Sequence, residues 1–122
     1  MPVIPAEIVS VTDGDTLRVI ARPWRGMSIE TAVRVFGVDT PEKGGRAKSP
    51  KEAALGAKAT EFAKAQFPVG SIVRLSNLAD DKFGGRVLAD VTRADGASWS
   101  ELMIGAGLAR KYDGGRKSDW TV

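Results

Sequence analysis

Two short segments gather acidic side chains, hydroxyls and carbonyls: Asp13-Gly14-Asp15-Thr16, and Asp39-Thr40-Pro41-Glu42 with Arg34 shortly ahead of it. Carboxylates and carbonyl oxygens are hard donors that suit an ion such as Ca²⁺ or Mg²⁺. Each segment alone has an ordinary reading. Asp-Gly is a common hairpin turn that a second Asp can cap, and Asp39-Thr40-Pro41 fits an Asx-turn leaving a strand. Together they say more, because Asp15 opens one strand and Asp39 ends a strand soon after, so an antiparallel meander would set them side by side. The spacing is not that of an EF-hand, whose ligand positions and final Glu are missing. Clustered carboxylates repel one another. A bound cation relieves that repulsion, and so would Arg34 or Arg86. A lone strand arginine more often covers surface, or pairs across a turn as Arg86 could with Asp80 or Asp81. Two guanidiniums facing a cation and a carboxylate are what phosphoryl chemistry uses: forked donors for charge on the phosphoryl oxygens and a base for the water proton.

The chain has neither histidine nor cysteine. Zinc fingers, thiol nucleophiles, Ser-His-Asp triads and imidazole proton shuttles are therefore excluded. The lack of cysteine leaves the redox compartment open. Eighteen basic and 15 acidic side chains give a net charge of +3, a mild lean toward anionic partners rather than a basic stripe. Met1-Pro2-Val3-Ile4-Pro5 has no basic region followed by a long apolar one, so no export signal is expected in the chain as given, and its localisation stays open. No apolar run approaches a membrane span. Gly84-Gly85 and Gly105-Ala106-Gly107 lack the spacing of a phosphate loop.

These residues need elements to position them. Glu7 to Thr12 alternates apolar and polar and reads as a strand. Asp13-Gly14 reads as a tight turn, with a return strand from Asp15 to Ala21. Pro23 to Ser28 is a loop, and β-branched Glu30 to Val38 a third strand. Lys43 to Lys48 has two glycines, three positive charges and nothing to bury, and reads as a mobile loop. Ser49-Pro50-Lys51-Glu52 is a capping box with proline at the first helical position. The helix behind it runs to about Gln66, with a stripe through Leu55, Ala59, Phe62 and Gln66 expected to face the core. Ile72 to Leu78 and Arg86 to Thr92 are the fourth and fifth strands, the latter with Val87, Ala89 and Val91 on one face. Ser98-Trp99-Ser100-Glu101 opens a short second helix through Ala106, with Gly107 as its C-cap.

Three strands, a helix, two strands and a helix is the order of an α+β protein built on a five-stranded Greek-key barrel of the OB type, with two packed helices and at most three. A flat α+β sandwich is the competing arrangement. A length of 122 residues fits one domain, 1–122, with its core at about 6–112 and a short polar tail at 113–122 in which Trp120 is the one large apolar residue.

VTDGDTLRV, then VRVFGVDTPE, then DKFGGRVLADV, in that order and at these separations, resemble the staphylococcal nuclease-like (thermonuclease) domain family. The resemblance spans about Glu7 to Tyr112. It implies an OB barrel that hydrolyses phosphodiesters in DNA and RNA with Ca²⁺ and leaves 3′-phosphates. Asp15 and Asp39 would then be calcium ligands through their carboxylates and Thr40 through its backbone carbonyl, with Asp13 acting through water. Glu42 would orient or deprotonate the attacking water. Arg34 and Arg86 would bind the phosphate and stabilise the transition state, and Lys82 and Tyr112 would contact substrate. The family often reads Asp-Lys-Tyr-Gly-Arg where this chain has Asp81-Lys82-Phe83-Gly84-Gly85-Arg86. Its members commonly carry a further C-terminal helix where this chain has Asp113 to Val122.

The expectation is a monomeric, calcium-dependent nuclease of low sequence specificity, acting on single-stranded or breathing nucleic acid, with no membrane partner. The main alternative is a non-catalytic nucleic-acid-binding OB-fold module, since OB barrels often bind without cutting. A structural or partner-docking domain is a third reading.

Overall fold

Alternating residues build β1 (Ile4–Asp13), which runs antiparallel to β2 (Thr16–Ala21) across the two-residue turn Gly14–Asp15. The structure, a computed structural model, describes residues 3–80 and 85–112. β2 pairs with β3 (Ile29–Val35), from Thr16 opposite Arg34 to Ala21 opposite Ile29. After the turn Phe36–Gly37 come β4 (Val38–Asp39), α1 (Pro50–Gln66), β5 (Ile72–Asp80), β6 (Arg86–Arg93), α2 (Trp99–Gly105) and β7 (Arg110–Lys111). β3 pairs in parallel with β6, with Ala32 beside Arg86 and Val35 beside Ala89. β6 pairs antiparallel with β5, and β5 with β1, so β1-β2-β3-β6-β5 form a closed barrel. This is the expected α+β OB barrel with two helices, and not the flat sandwich. Closure removes exposed edges from short strands.

Ile8, Leu17, Val19, Val33, Val35, Val73, Leu75, Ala89 and Val91 fill the barrel. Phe67 and Trp99 stack at its helical end, with ring centroids 4.4 Å apart and planes at 25°. α2 ends as Gly107 suggests: with φ at +75°, it donates to the Ile104 carbonyl, and Leu108 donates to that of Met103. Among the described residues, no helix is long and apolar enough to cross a membrane.

Three sequence expectations change. The third strand does not continue to Val38. Gly37, at φ +82°, turns the chain so that Val38–Asp39 pairs with β7 instead, Val38 opposite Lys111 and Asp39 opposite Arg110. The buried face of α1 is Glu52, Gly56, Ala59, Thr60 and Ala63, with Leu55 and Phe62 at its margin. Small residues face inward because the helix lies very close to its neighbours: a Cβ on Gly14 would sit 3.0 Å from that of Ala59. Gly14 itself is not left-handed, so it is this close approach to Ala59 and Thr40, and not turn conformation, that a side chain there would have to push against. The segment Lys43 to Lys48 contains a single exposed 3₁₀ turn, Gly44–Arg46. Lys82 and the tail from Asp113, with Trp120, lie outside the described residues.

Candidate active site

Burying a charge or hydroxyl is costly unless it is bonded, so buried polar groups point to where a fold spends stability on something else. Among the described residues these groups are Asp15, Thr16, Arg34, Asp39, Thr40, Glu52 and Thr60. The first five meet at one end of the barrel.

The Gly14–Asp15 turn delivers Asp15, and the register Thr16–Arg34 sets Arg34 next to it. Arg34 points away from the barrel interior, since Val33 and Val35 on either side fill the core. The reversal at Phe36–Gly37 carries Val38–Thr40 back past it. The Arg34 guanidinium donates to the carbonyls of Val35 (2.7 Å) and Val38 (2.8 Å) and stands 3.5 Å from Asp15 Oδ2. Thr16 and Thr40 donate their hydroxyls to the two oxygens of Asp15, each at 3.0 Å. Asp39, 1% exposed, lies between Val38 and Thr40 in this same segment. Glu42 is half-buried just beyond it. Arg86 enters by the parallel register: it pairs with Ala32, so it shares the outward face with Arg34, roughly 6.6 Å further along the strands.

The structure therefore brings Asp15, Arg34, Thr40 and Asp39 together, with Arg86 one strand away. Tyr112 sits at the edge. Its N–H donates to the Gly37 carbonyl (2.9 Å), and its side chain lines an open groove of about 520 Å³ with Phe36, Gly37, Lys111 and Ile104. The groove begins at the turn joining Arg34 to Asp39.

Two residues outside the sequence-based set belong here. Trp99 donates its indole N–H to the Gly14 carbonyl (2.8 Å), anchoring the turn that carries Asp13 and Asp15 to the core. No local signal could have revealed a bond spanning 85 residues. Glu52, read as a capping-box residue, accepts from the main chain of Glu42 and Lys48.

The electrostatics are asymmetric. Burial, the largest influence on Asp15, acts to raise its pKa, yet the Arg34 guanidinium and hydrogen bonds from Asp13, Thr16 and Thr40 outweigh it and hold the carboxyl below the usual range. Asp13 is pushed up to about 7 by burial first, then by the Asp15 charge and a hydrogen bond to the Asp15 carboxylate, with a smaller contribution from Glu42. Two carboxyl groups close enough to share a proton fit a hard divalent cation in the proton's place. No three acidic side chains stand together as a metal-holding set among the described residues. An ion here would need two carboxylates completed by a main-chain carbonyl and water, a donor set that Ca²⁺ accepts.

Asp13 also sets a pH dependence. The folded protein holds this proton more tightly than the unfolded chain, so its contribution to stability is greatest at low pH and is lost as pH rises from about 4 to about 7. Asp13→Asn keeps an acceptor for the Asp15 N–H, which Asp13 Oδ1 now accepts at 3.1 Å. Without divalent cations, this variant is expected to exceed the wild type by about 2 kcal/mol at pH 8, the pKa shift being discounted for partial exposure, and to match it near pH 4. Urea midpoints at the two pH values check this, and equal midpoints at pH 8 would rule the repulsion out.

A search of curated proteins gives no match to the chain. The family model described as staphylococcal nuclease homologue matches residues 32–120, more than half of the chain. That stretch begins in β3 and takes in Arg34, Asp39, Thr40, Glu42 and Arg86, while Asp13 and Asp15 join them through the β1–β2 turn. With its barrel and the matched stretch in agreement, the chain belongs to the staphylococcal nuclease homologue family.

Proposed function

We propose that the protein hydrolyses phosphodiester bonds of single-stranded or breathing DNA and RNA, with low sequence specificity and with Ca²⁺ as cofactor. Family membership supports the coarser reading, a nuclease or nucleic-acid-binding domain. The observation that carries the finer one is the buried Asp15–Arg34–Thr40 cluster beside Glu42, expensive to bury and idle in a plain scaffold.

Asp15 and Asp39 would hold the ion through their carboxylates and Thr40 through its main-chain carbonyl. When bound, Ca²⁺ supplies charge that polarises a phosphoryl oxygen and offsets the negative phosphate. Glu42 takes a proton from the attacking water as the water oxygen bonds to phosphorus. Arg34 is held rigid by two carbonyls, and these with Asp15 engage three of its five N–H donors. The remaining donors face the phosphoryl oxygens, where charge builds up in the transition state. Arg86 brings a second guanidinium on the same face. The P–O5′ bond breaks, leaving a 3′-phosphate and a 5′-hydroxyl that is protonated from solvent. Tyr112, with its groove, contacts a neighbouring base or phosphate. Lys82 is assigned to substrate on the resemblance alone. The protein acts as a monomer.

Heat-denatured DNA with added Ca²⁺, a chelator control and Glu42→Gln test the reading. Cleavage is expected with Ca²⁺ alone, lost on chelation, and reduced about 10²-fold or more in Glu42→Gln. A Glu42→Gln protein that cuts as fast as the wild type in saturating Ca²⁺ would sink it. Binding without cleavage by any form, unaffected by chelation, would make the barrel a binding module.

A further inference from the structure

The capping box at Ser49 leads to an expectation that fails in an informative way. In such a box the Glu side chain turns back to the main chain of the capping residue. Ser49 does its half, with Oγ accepting the Glu52 N–H at 3.1 Å. Glu52 does not do the other half. One carboxylate oxygen accepts the Lys48 N–H at 2.8 Å, and the other accepts the Glu42 N–H at 3.1 Å. Glu52 thus ties together both ends of the exposed, glycine-containing segment that follows Glu42.

Its burial needs a reason, for it is only 4% exposed. The first turn of α1, with its unpaired N–H groups, favours an anion at this position. That makes burial tolerable but does not explain why the carboxylate reaches Glu42. The face of α1 supplies a second, independent observation. Gly56 lies one turn after Glu52, where a Cβ would fall 2.3 Å from the Glu42 carbonyl oxygen and 2.8 Å from the Lys43 nitrogen. The main chain of Glu42 therefore rests directly on the helix backbone, with its N–H held by Glu52 and its carbonyl against Gly56. Lys43 continues the clamp, its ammonium donating to the Thr12 carbonyl at 2.6 Å. An exposed loop would ordinarily leave its first residue mobile, and here both peptide groups of that residue are fixed.

We infer that Glu52 is a positioning residue: with Gly56 it forms a seat on α1 that fixes the main chain of Glu42 and so aims the Glu42 carboxylate at the attacking water. This rests on the reading of Glu42 as the base. A base displaced by about 1 Å can lose on the order of 10²-fold in rate while substrate binding is untouched. Glutamine at 52 keeps the shape but offers one acceptor and turns an NH₂ toward a main-chain N–H. Alanine at 56 favours the helix but intrudes on Glu42.

The test measures kcat and KM on a single-stranded DNA oligonucleotide in saturating Ca²⁺, Ca²⁺ affinity, and thermal unfolding, for Glu52→Gln, Gly56→Ala, Glu42→Gln and the double variant Glu42→Gln/Glu52→Gln. In Glu52→Gln and Gly56→Ala, kcat should fall about 10-fold or more, with KM and Ca²⁺ affinity within about threefold of wild type. If Glu52 acts through Glu42, the double variant should be no slower than Glu42→Gln alone, within about twofold. A merely structural role would instead lower kcat again in that background, or move KM and Ca²⁺ affinity together with kcat, and either result overturns the inference. Wild-type kcat in a folded Glu52→Gln, with Glu42→Gln inactive, overturns it while leaving the proposed function standing. Wild-type kcat in Glu42→Gln overturns the proposed function itself. If Glu52→Gln does not fold, Gly56→Ala decides.

Discussion

Arg34→Ala is expected to lose about 10³-fold in kcat and, separately, about 3–5 kcal/mol of stability. The activity loss follows from the proposed function, in which this guanidinium binds the phosphate. The stability loss follows from what it leaves behind: the carbonyls of Val35 and Val38 without their donor, and the buried Asp15 charge without its cation. Against a typical total of about 5–15 kcal/mol, the folded state becomes marginal. Arg34→Lys separates the two effects. It keeps the charge beside Asp15, but a point-like ammonium cannot span two carbonyls and a carboxylate. Its stability should fall by about 1–2 kcal/mol while kcat falls nearly as far as in the alanine variant. The stability deficit has a pH signature. Asp15 titrates below 3.8, so the stability it gains from Arg34 is fully present above that value and is lost as pH falls through its folded pKa. The Arg34→Ala deficit should therefore narrow below about pH 4. Urea midpoints from pH 3 to pH 8 measure it, and a deficit that stays constant with pH would mean that Asp15 is not the group being stabilised.

Trp99→Ala comes second, at about 3–5 kcal/mol. Its side chain is fully buried, stacked on Phe67 and bonded to the Gly14 carbonyl. Alanine leaves a cavity beside the ring, and the carbonyl loses its donor. Trp99→Phe keeps most of the packing and removes the bond, so it should cost about 1–2 kcal/mol. The phenylalanine variant also tests a link to function. If the turn bearing Asp13 and Asp15 holds Ca²⁺ as proposed, then freed from its anchor it should bind the ion more weakly, raising the concentration needed for half-maximal cleavage while kcat at saturation changes little. Calcium titration of the rate is the check, and an unchanged requirement would mean that the turn holds its shape without the indole.

Much of the fold was legible because local signals and the global arrangement agree. Alternation gave the barrel strands, and the hydroxyl at each helix start gave Ser49 and Ser98, whose oxygens do accept from Glu52 and Glu101. The one-helix gap between the third and fourth strands gave the OB-type order, while the parallel pairing of β3 with β6 that closes it came from the structure. What stayed hidden depends on contact rather than period. Periodicity marks the large residues of a helix, and so favoured Leu55 and Phe62. Close approach selects the small ones, and so the buried face runs through Gly56, Ala59 and Ala63. The break at Gly37 sits inside a β-branched run and depends on pairing with Arg110–Lys111, far along the chain. At the site, the residue types of Asp15, Arg34, Asp39, Thr40 and Glu42 could be read from their motifs. Their mutual distances could not, nor could the support from Trp99 and Glu52, because those bonds join elements that only the finished barrel brings together.

The anchoring of Gly14 by Trp99 also gives the protein a built-in optical probe. An indole shielded from water and stacked on another ring emits at shorter wavelength than one in solvent. Trp24, 75% exposed, is of the second kind, and Trp99, with no exposure, of the first. A dissolved quencher such as iodide reaches the exposed Trp24 ring and not the enclosed Trp99 ring, so with the third tryptophan, Trp120, replaced by phenylalanine the two emissions can be separated without any label. The short-wavelength signal then comes from a ring hydrogen-bonded to the residue between Asp13 and Asp15. Its colour and lifetime follow the state of that turn directly and in real time.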